Sequence, residues 1–466
     1  MIKQSLIILS ISAAYMVNAQ DISTLRNTVE VYSNNNLNGS SKYNAMAGSM
    51  GALGGDYSVL NSNPAGIAVS IANDISGTLN IQKQTNTSTF NGQSLDYRIN
   101  ETDLGNVGAI AVFPVTGNSN WKFVNIGINY SNQSIEDYTE TTGNNNINFQ
   151  FSDASGDLIE DLDFAGHAYN RYGNISKTSV GVGGNYDNRI YVGAGLNFHN
   201  SILDQYDSAA FTDLAGATSV FDKQYTPFSE SGSGFSASVG VIGKVSPNFR
   251  LGASVETPTW WTIERIYSEY ENPVDGTYNE DRKLSSPMKA TISAAYVANK
   301  NFAINVDYTL GLTKPKYKVY GEAETELNDF FDNNTNNLSE VKVGAEYRID
   351  AFRLRAGYGF ASSPFDNVSV NSFASNGTAG MNAFDNFIIG KRNTLGAGIG
   401  YDFRSFYIDA AYQHSTSEFN NPFLQGSDVN NTGYFSNNFI VNSDAAGVSE
   451  VEQKRDNFFI TVGYRF

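Results

Sequence analysis

Few residues in this sequence have both the type and the spacing that chemistry would need. Gly48-x-x-Gly51-x-x-Gly54 has the glycine spacing of a phosphate-cradling loop. No buried strand precedes it and no Lys-Ser/Thr follows, so nucleotide binding is set aside. Histidine occurs three times, at His167, His199 and His414. A hydrolase would need one beside a nucleophile and a carboxylate, and a heme-uptake protein would need one for iron. They fall in a long connection and near strand ends, where surface or interface histidines are common. Asp329, Asp332, Asn333 and Asn334 form an oxygen-rich run. It lacks the glycine and terminal glutamate of a calcium loop and reads as solvated surface. Cysteine is absent, which excludes disulfides, zinc–thiolate sites, iron–sulfur clusters and thiol nucleophiles. No catalytic residue, metal ligand or cofactor is assigned, and the chain reads as a non-enzyme.

The elements that must position any site are strands. The 466 residues contain 43 Gly, 27 Tyr and 30 Phe but only 10 Pro. With 30 Lys+Arg against 47 Asp+Glu, the net charge of −17 argues against nucleic acid, which needs a basic footprint. Period-two alternation is clearest at the C-terminus. Phe458, Ile460, Val462, Tyr464 and Phe466 share one face, and Phe459, Thr461, Gly463 and Arg465 the other. Val124–Tyr130, Val192–Phe198, Phe235–Val241, Phe302–Tyr308 and Phe406–Tyr412 repeat it. Their second face is small and amide-rich, which suits a wet or plugged lumen with the apolar face turned to lipid.

Fourteen such segments are predicted, at 73–82, 107–115, 121–131, 177–187, 189–201, 232–246, 248–258, 288–298, 300–311, 338–348, 352–360, 393–403, 405–415 and 456–466. Short turns alternate with connections of about 24 to 45 residues. That is the plan of an outer-membrane barrel, with short turns in the periplasm and long loops outside. No run of apolar residues is long enough for a membrane-spanning helix. The N-terminus reads as an export signal: Lys3, an apolar core Leu6–Ala14, and small residues Val17 and Ala19 before the cleavage point. The expected organisation is signal 1–19, a segment 20–72 that has no strand pair and barrel 73–466, in the outer membrane of a Gram-negative bacterium.

The 20–72 segment carries a distinctive run. Met46–Gly55 is rich in glycine and alanine, with a short helix predicted over 45–53 and ended by Gly54-Gly55. Asn63-Pro64-Ala65-Gly66 follows as a turn. These residues, placed just before the first strand of fourteen in a chain ending in Phe466, resemble the FadL/TodX family of outer-membrane transport proteins in its Bacteroidetes-type form. The resemblance covers the whole chain in layout and about 25 residues in motif.

The resemblance implies an all-β, 14-stranded antiparallel barrel with an N-terminal hatch in the lumen. It implies passive transport of hydrophobic compounds, either long-chain fatty acids or aromatic hydrocarbons. Outer loops would catch the ligand, and a kink in the third strand would let it leave sideways into lipid. Carried onto this chain, Asn63, Pro64 and Ala65 would fix the hatch near strand 121–131. Gly127 is the candidate kink, since glycine permits a break in a ladder, while Asn125 and Asn129 also suit ordinary lumen positions. Trp260-Trp261 and Phe330-Phe331 lie beyond outward strand ends. They would line a hydrophobic entry groove, or else anchor at the interface. Expected partners are hydrophobic small molecules, outer-membrane lipid and lipopolysaccharide, and the barrel-assembly machinery through Phe466, with a monomeric barrel. The competing reading is a surface receptor or adhesin on the same barrel, for heme or another ligand, without channel activity.

Overall fold

The protein is described from a computed structural model, which covers residues 22–33, 38–152, 156, 158–268, 277–319, 322–365, 367–426, 432–435 and 440–466. The export signal expected at 1–19 and part of the acidic loop 426–438 lie outside these residues.

Fourteen antiparallel strands close on themselves. They are β1 (Asp74–Phe90), β2 (Gln93–Pro114), β3 (Trp121–Glu136), β4 (Leu158–Tyr186), β5 (Ile190–Thr212), β6 (Phe228–Lys244) and β7 (Phe249–Glu256). The second half comprises β8 (Lys289–Asn299), β9 (Phe302–Gly311), β10 (Ser339–Ile349), β11 (Phe352–Ala361), β12 (Arg392–Asp402), β13 (Phe406–Phe423) and β14 (Gly447–Arg465). Each pairs with the next, and β14 pairs with β1 from Arg465↔Asp74 to Glu450↔Thr89. Asn73 and Phe466 exchange backbone hydrogen bonds of 3.1 and 3.3 Å to finish the seam. Closure leaves no unpaired edge, the condition for a sheet to sit in lipid.

Side-chain alternation follows from the same environment. On β14, Phe458, Ile460, Val462 and Tyr464 face outward and are 43–55% exposed, while Asn457, Phe459 and Thr461 are buried in the lumen. Val124, Ile126 and Ile128 on β3, and Val192, Leu196 and Phe198 on β5, likewise face out. A continuous band of exposed Ile, Leu and Val around the barrel is tolerable only in hydrocarbon. Aromatic rings mark both rims. Trp121–Tyr186 (5.3 Å between centroids), Phe403–Phe406 (4.3 Å) and Tyr464–Phe466 (5.7 Å) sit at the short-turn end. Phe198, Phe235 and Trp260 stack across neighbouring strands at the other.

All six short turns fall where the sequence places them. The long connections differ from expectation, because several are strand rather than loop. The 83–106 stretch extends β1 and β2 as strand, with 83–89 also paired to β14, and reverses at Asn91-Gly92, both with positive φ. Asn-Gly is the preferred pair for such a two-residue turn. Its Thr-, Asn- and Gln-rich arms stand above the lipid, so they lack the apolar alternation that reveals a membrane strand. Thr139–Ser152 adds to β4, and Trp260–Ser268 with Thr277–Ser285 continues the wall above β7 and β8. A helix, α3 (Glu322–Asn334), replaces the expected acidic loop after β9.

Leu196→Arg, in the middle of the outward face of β5, is expected to cost about 2–4 kcal/mol of folding free energy in lipid. Val220→Arg, outward but on the extension above the lipid, is expected to change stability by less than about 0.5 kcal/mol. Urea titrations of both variants in phosphatidylcholine vesicles would locate the hydrocarbon boundary.

Candidate functional site: the plugged lumen

The lumen is filled by the N-terminal segment in two layers. The lower layer begins with α2 (Ser41–Ala45), capped by Ser40, whose hydroxyl accepts from the Tyr43 amide. This helix lies a few residues earlier than the one predicted over 45–53. Met46–Leu53 instead forms turns whose amides are held by the wall. Asp307 on β9 accepts from the amides of Met50 (3.0 Å) and Gly51 (3.1 Å), and Asn305 accepts from Ala52 (3.2 Å). An amide spent on the wall is not available to a helix.

Asn63-Pro64-Ala65-Gly66 forms the start of a short 3₁₀ helix, Pro64–Val69. Asn63 caps it: Oδ1 accepts from the Ala65 amide at 3.1 Å. Its Nδ2 donates to the Gly51 carbonyl at 2.7 Å and to the Val241 carbonyl of β6 at 3.4 Å. Pro64 takes the first helical position, where no amide is missed.

Close approach to the wall is made possible by glycines in register. Gly183, Gly193 and Gly240 are opposite one another across β4, β5 and β6. A Cβ on Gly193 would stand 2.5 Å from the Ala65 nitrogen, and one on Gly240 would stand 2.0 Å from Asn63 Oδ1. Gly344, Gly357 and Gly396 form a second row across β10, β11 and β12. A Cβ on Gly357 would lie 2.2 Å from the Met46 carbonyl carbon. No other residue permits backbone-on-backbone packing of this kind.

These contacts revise two expectations. Asn63, Pro64 and Ala65 lie against β5 and β6, not against strand 121–131. The third strand does hold the hatch, but through Asn125, which donates to the carbonyls of Ile67 (2.8 Å) and Ser70 (2.9 Å), and Asn129, which donates to Asn61 (3.2 Å). Gly127 is paired without interruption to Ile110 and Gly181. It makes room for Ile67 and Leu60 of the hatch. The irregularity of β3 lies at its lower end, between Trp121 and Phe123.

The upper layer is a helix, α1 (Ile22–Asn27), that widens into a π-helical turn at Thr28–Ser33. Its apolar side, Leu25, Val29 and Val31, lies in a buried cluster with Trp261, Ile263, Leu284, Phe330, Phe331 and Phe387. Its polar side meets buried charge. Arg171 of β4 pairs with Glu30 and Asp137 and donates to Asn27 at 2.7 Å. Glu230 of β6 accepts from Arg265 (2.9 Å), Arg282 (2.6 Å) and Tyr32 (2.7 Å). Burial pushes the Glu30 carboxyl above its ordinary value, against the pull of Arg171. The predicted aromatic pairs therefore separate. Trp261, Phe330 and Phe331 join one buried apolar site, whereas Trp260 faces outward, 51% exposed, against Phe235. Leu327, Phe330 and Phe331 have the i, i+3, i+4 spacing of one helix face, the sequence signal that brings both phenylalanines inward.

The histidines stand apart. His167 bonds Asp207 at 2.9 Å under the Phe423 ring, His199 bonds Ser236 at 3.1 Å, and His414 bonds Asp456 at 2.7 Å. Two polar cavities lie between the plug layers. One is walled by Arg171, Arg392 and Arg455 and the other by Lys177, Glu256 and Lys289.

The described residues thus form a closed fourteen-stranded barrel plugged by the N-terminal segment. Among solved structures, the chain is similar to the Pseudomonas putida toluene transporter TodX, with a TM-score of 0.54 at 12% identity over 94% of this chain and 100% of that one. A Pseudomonas aeruginosa FadL homologue (TM-score 0.50, 12% identity, 92% and 98% covered) is similar too. So is the CymD monoaromatic hydrocarbon channel (0.50, 10%, 92% and 97%). At these identities the likeness is one of fold. No protein-family model and no curated protein matches the chain.

Asn63→Ala removes the cap and both tethers of the lower layer. Amides of residues 65–69 are expected to exchange about 5- to 30-fold faster, the equivalent of about 1–2 kcal/mol for a lost cap. Hydrogen-exchange mass spectrometry of the barrel in detergent would measure it.

Proposed function

We propose that the chain is a passive outer-membrane channel for hydrophobic compounds, either long-chain fatty acids or aromatic hydrocarbons. Capture takes place among the outer elements, and release runs sideways through the barrel wall into the membrane. The observation that carries this reading is the apolar cluster around Leu25, Val29, Phe330 and Phe331 in the outer half of the lumen. A pore for hydrophilic solutes keeps its lumen polar and wet. Here a buried apolar site stands inside the wall, and the chain's own helix occupies it. An alkyl chain that replaced that helix would leave water at roughly 0.8 kcal/mol per buried CH₂. The glycine-seated hatch below blocks straight passage, which favours a lateral exit. Similarity in fold to transporters of toluene and monoaromatic hydrocarbons supports the same substrate class. The setting would be the Gram-negative outer membrane.

The test is uptake of labelled oleate and labelled toluene by an outer-membrane strain lacking its own hydrophobic-compound channels. Expression of this chain is expected to raise uptake of at least one compound several-fold over empty vector. Phe330→Asp/Phe331→Asp is expected to abolish at least nine-tenths of that gain. Uptake at the vector level, with the barrel folded by heat-modifiable gel mobility, would refute transport and favour a surface receptor.

A further inference from the structure

The wall is interrupted away from the third strand, at one height on three neighbouring strands. β7 and the strand Trp260–Ser268 are one strand broken at Thr257-Pro258-Thr259. Its neighbour, Thr277–Ser285 continuing into β8, is broken at Ser286-Pro287-Met288. Trp260↔Ser285 above the break and Glu256↔Lys289 below it place Pro258 opposite Pro287. The next strand, β9 continuing to Lys316–Lys318, carries Pro315 at the same level. Proline has no amide to donate, so each removes a possible ladder bond.

The register slips here as well. Against β6, the pairs Glu256↔Ser238 and Trp260↔Phe235 leave three residues facing two. Against β9, Lys289↔Gly311 and Ser285↔Lys316 leave three facing four. Above Ser339, β10 no longer covers this flank. Asn328 of α3 instead bonds the Tyr317 amide (2.8 Å) and carbonyl (3.0 Å). What joins the two broken strands at the seam is a pair of bonds between Thr259 and Ser286: the Ser286 amide to the Thr259 carbonyl (3.0 Å), and the Thr259 amide to Ser286 Oγ (3.2 Å). Trp260 and Phe235 at this level mark the outer aromatic rim, so the seam meets the outer leaflet.

Behind the seam lies the second polar cavity, and Thr257, Thr259, Ser286 and Pro287 are part of its wall. Its charges are three lysines, Lys177, Lys289 and Lys342, against two carboxylates, Glu256 and Glu340. Both carboxylates are already paired, Glu256 with Lys177 at 3.1 Å and Glu340 with Lys342 at 2.9 Å. Lys289 donates to the Ser33 carbonyl at 2.9 Å and makes no ion pair among the described residues. Two further nitrogens on this wall, Trp261 Nε1 and His199 Nδ1, are buried without a hydrogen-bond partner among the described residues. Trp261 is 2% and His199 9% exposed. A buried indole N–H left unpaired costs free energy that an acceptor would recover.

We propose that the Pro258–Pro287–Pro315 seam is a lateral port to this cavity, and that the cavity takes the anionic head of a single-chain amphiphile from the outer leaflet. Lys289 and the Trp261 indole hold the head. The tail passes between the broken strands and stays in lipid, so little apolar surface enters water. The proposal rests on the channel reading for the direction of traffic but not for binding.

The test uses the barrel in phosphatidylcholine nanodiscs with Trp121→Phe and Trp260→Phe, which leaves Trp261 as the single tryptophan. The probe is 9,10-dibromostearate, compared with the dibrominated alcohol of the same chain. The acid is expected to quench Trp261 saturably and the alcohol at least 10-fold more weakly, with Lys289→Gln removing that preference. Equal quenching by acid and alcohol, or no effect of Lys289→Gln, would overturn the head site. For the port, Pro258→Cys/Pro287→Cys is added, since opposed residues in neighbouring strands are within disulfide reach. Oxidation is expected to slow quenching at least 10-fold, with full recovery on reduction in the same sample. An unchanged rate in the oxidised barrel would overturn the port. Oleate uptake by cells carrying the cysteine pair separates the readings. Uptake that survives oxidation while quenching does not would leave the channel standing and confine the port to binding. Uptake that persists with quenching also unchanged would remove the port alone.

Discussion

Everything inside this barrel depends on one steric allowance, the rows of glycine that let hatch backbone lie directly on wall backbone. Gly183–Gly193–Gly240 and Gly344–Gly357–Gly396 run across three strands each. A methyl group at Gly193 would overlap the main chain of Pro64–Ala65, one at Gly240 the Asn63 side chain, and one at Gly357 or Gly396 the main chain of Ala45–Met46. Glycine weakens a strand, because it loses more entropy on folding and packs no side chain. The closed ladder absorbs that loss, since each wall strand is bonded on both sides.

The two layers of the plug are held by different physics. The lower layer is fixed by neutral and singly charged groups acting on backbone, such as Asn63, Asn125, Asn305 and Asp307. Such bonds act on hatch backbone and set its position closely. The upper helix is held by paired charges, with Arg171 between Glu30 and Asp137, and Glu230 between Arg265 and Arg282. Buried pairs bring little net stability, because desolvation offsets their attraction, but breaking one is costly. That balance keeps the helix in register while it is seated.

The prolines mark where regular wall ends. Below Pro258 and Pro287 the strands carry the strict alternation lipid requires. Above them the wall opens into hairpins and a helix that follow the rules of a soluble surface.

The membrane-embedded parts of the strands were legible in the sequence, because lipid on one side and a polar lumen on the other impose period two on each of them. The glycine-rich plug and the Asn63–Gly66 turn were legible too, from the local chemistry of capping and turns. The outer extensions were not. Residues 83–106 rise above the lipid, and the buried face of 83–90 is polar at Gln84, Asn86 and Ser88, so no apolar alternation separates strand from loop; pairing around Asn91-Gly92 and with β14 makes them strand. Trp260 and Trp261 are adjacent in sequence, yet one meets lipid and the other the lumen, because a strand alternates. Which wall Asn63 would touch, that Gly127 would be a seat and not a kink, and that three prolines far apart in sequence would align at one height were decided by barrel register. Register is a property of fourteen strands closing together, and no single stretch of sequence contains it.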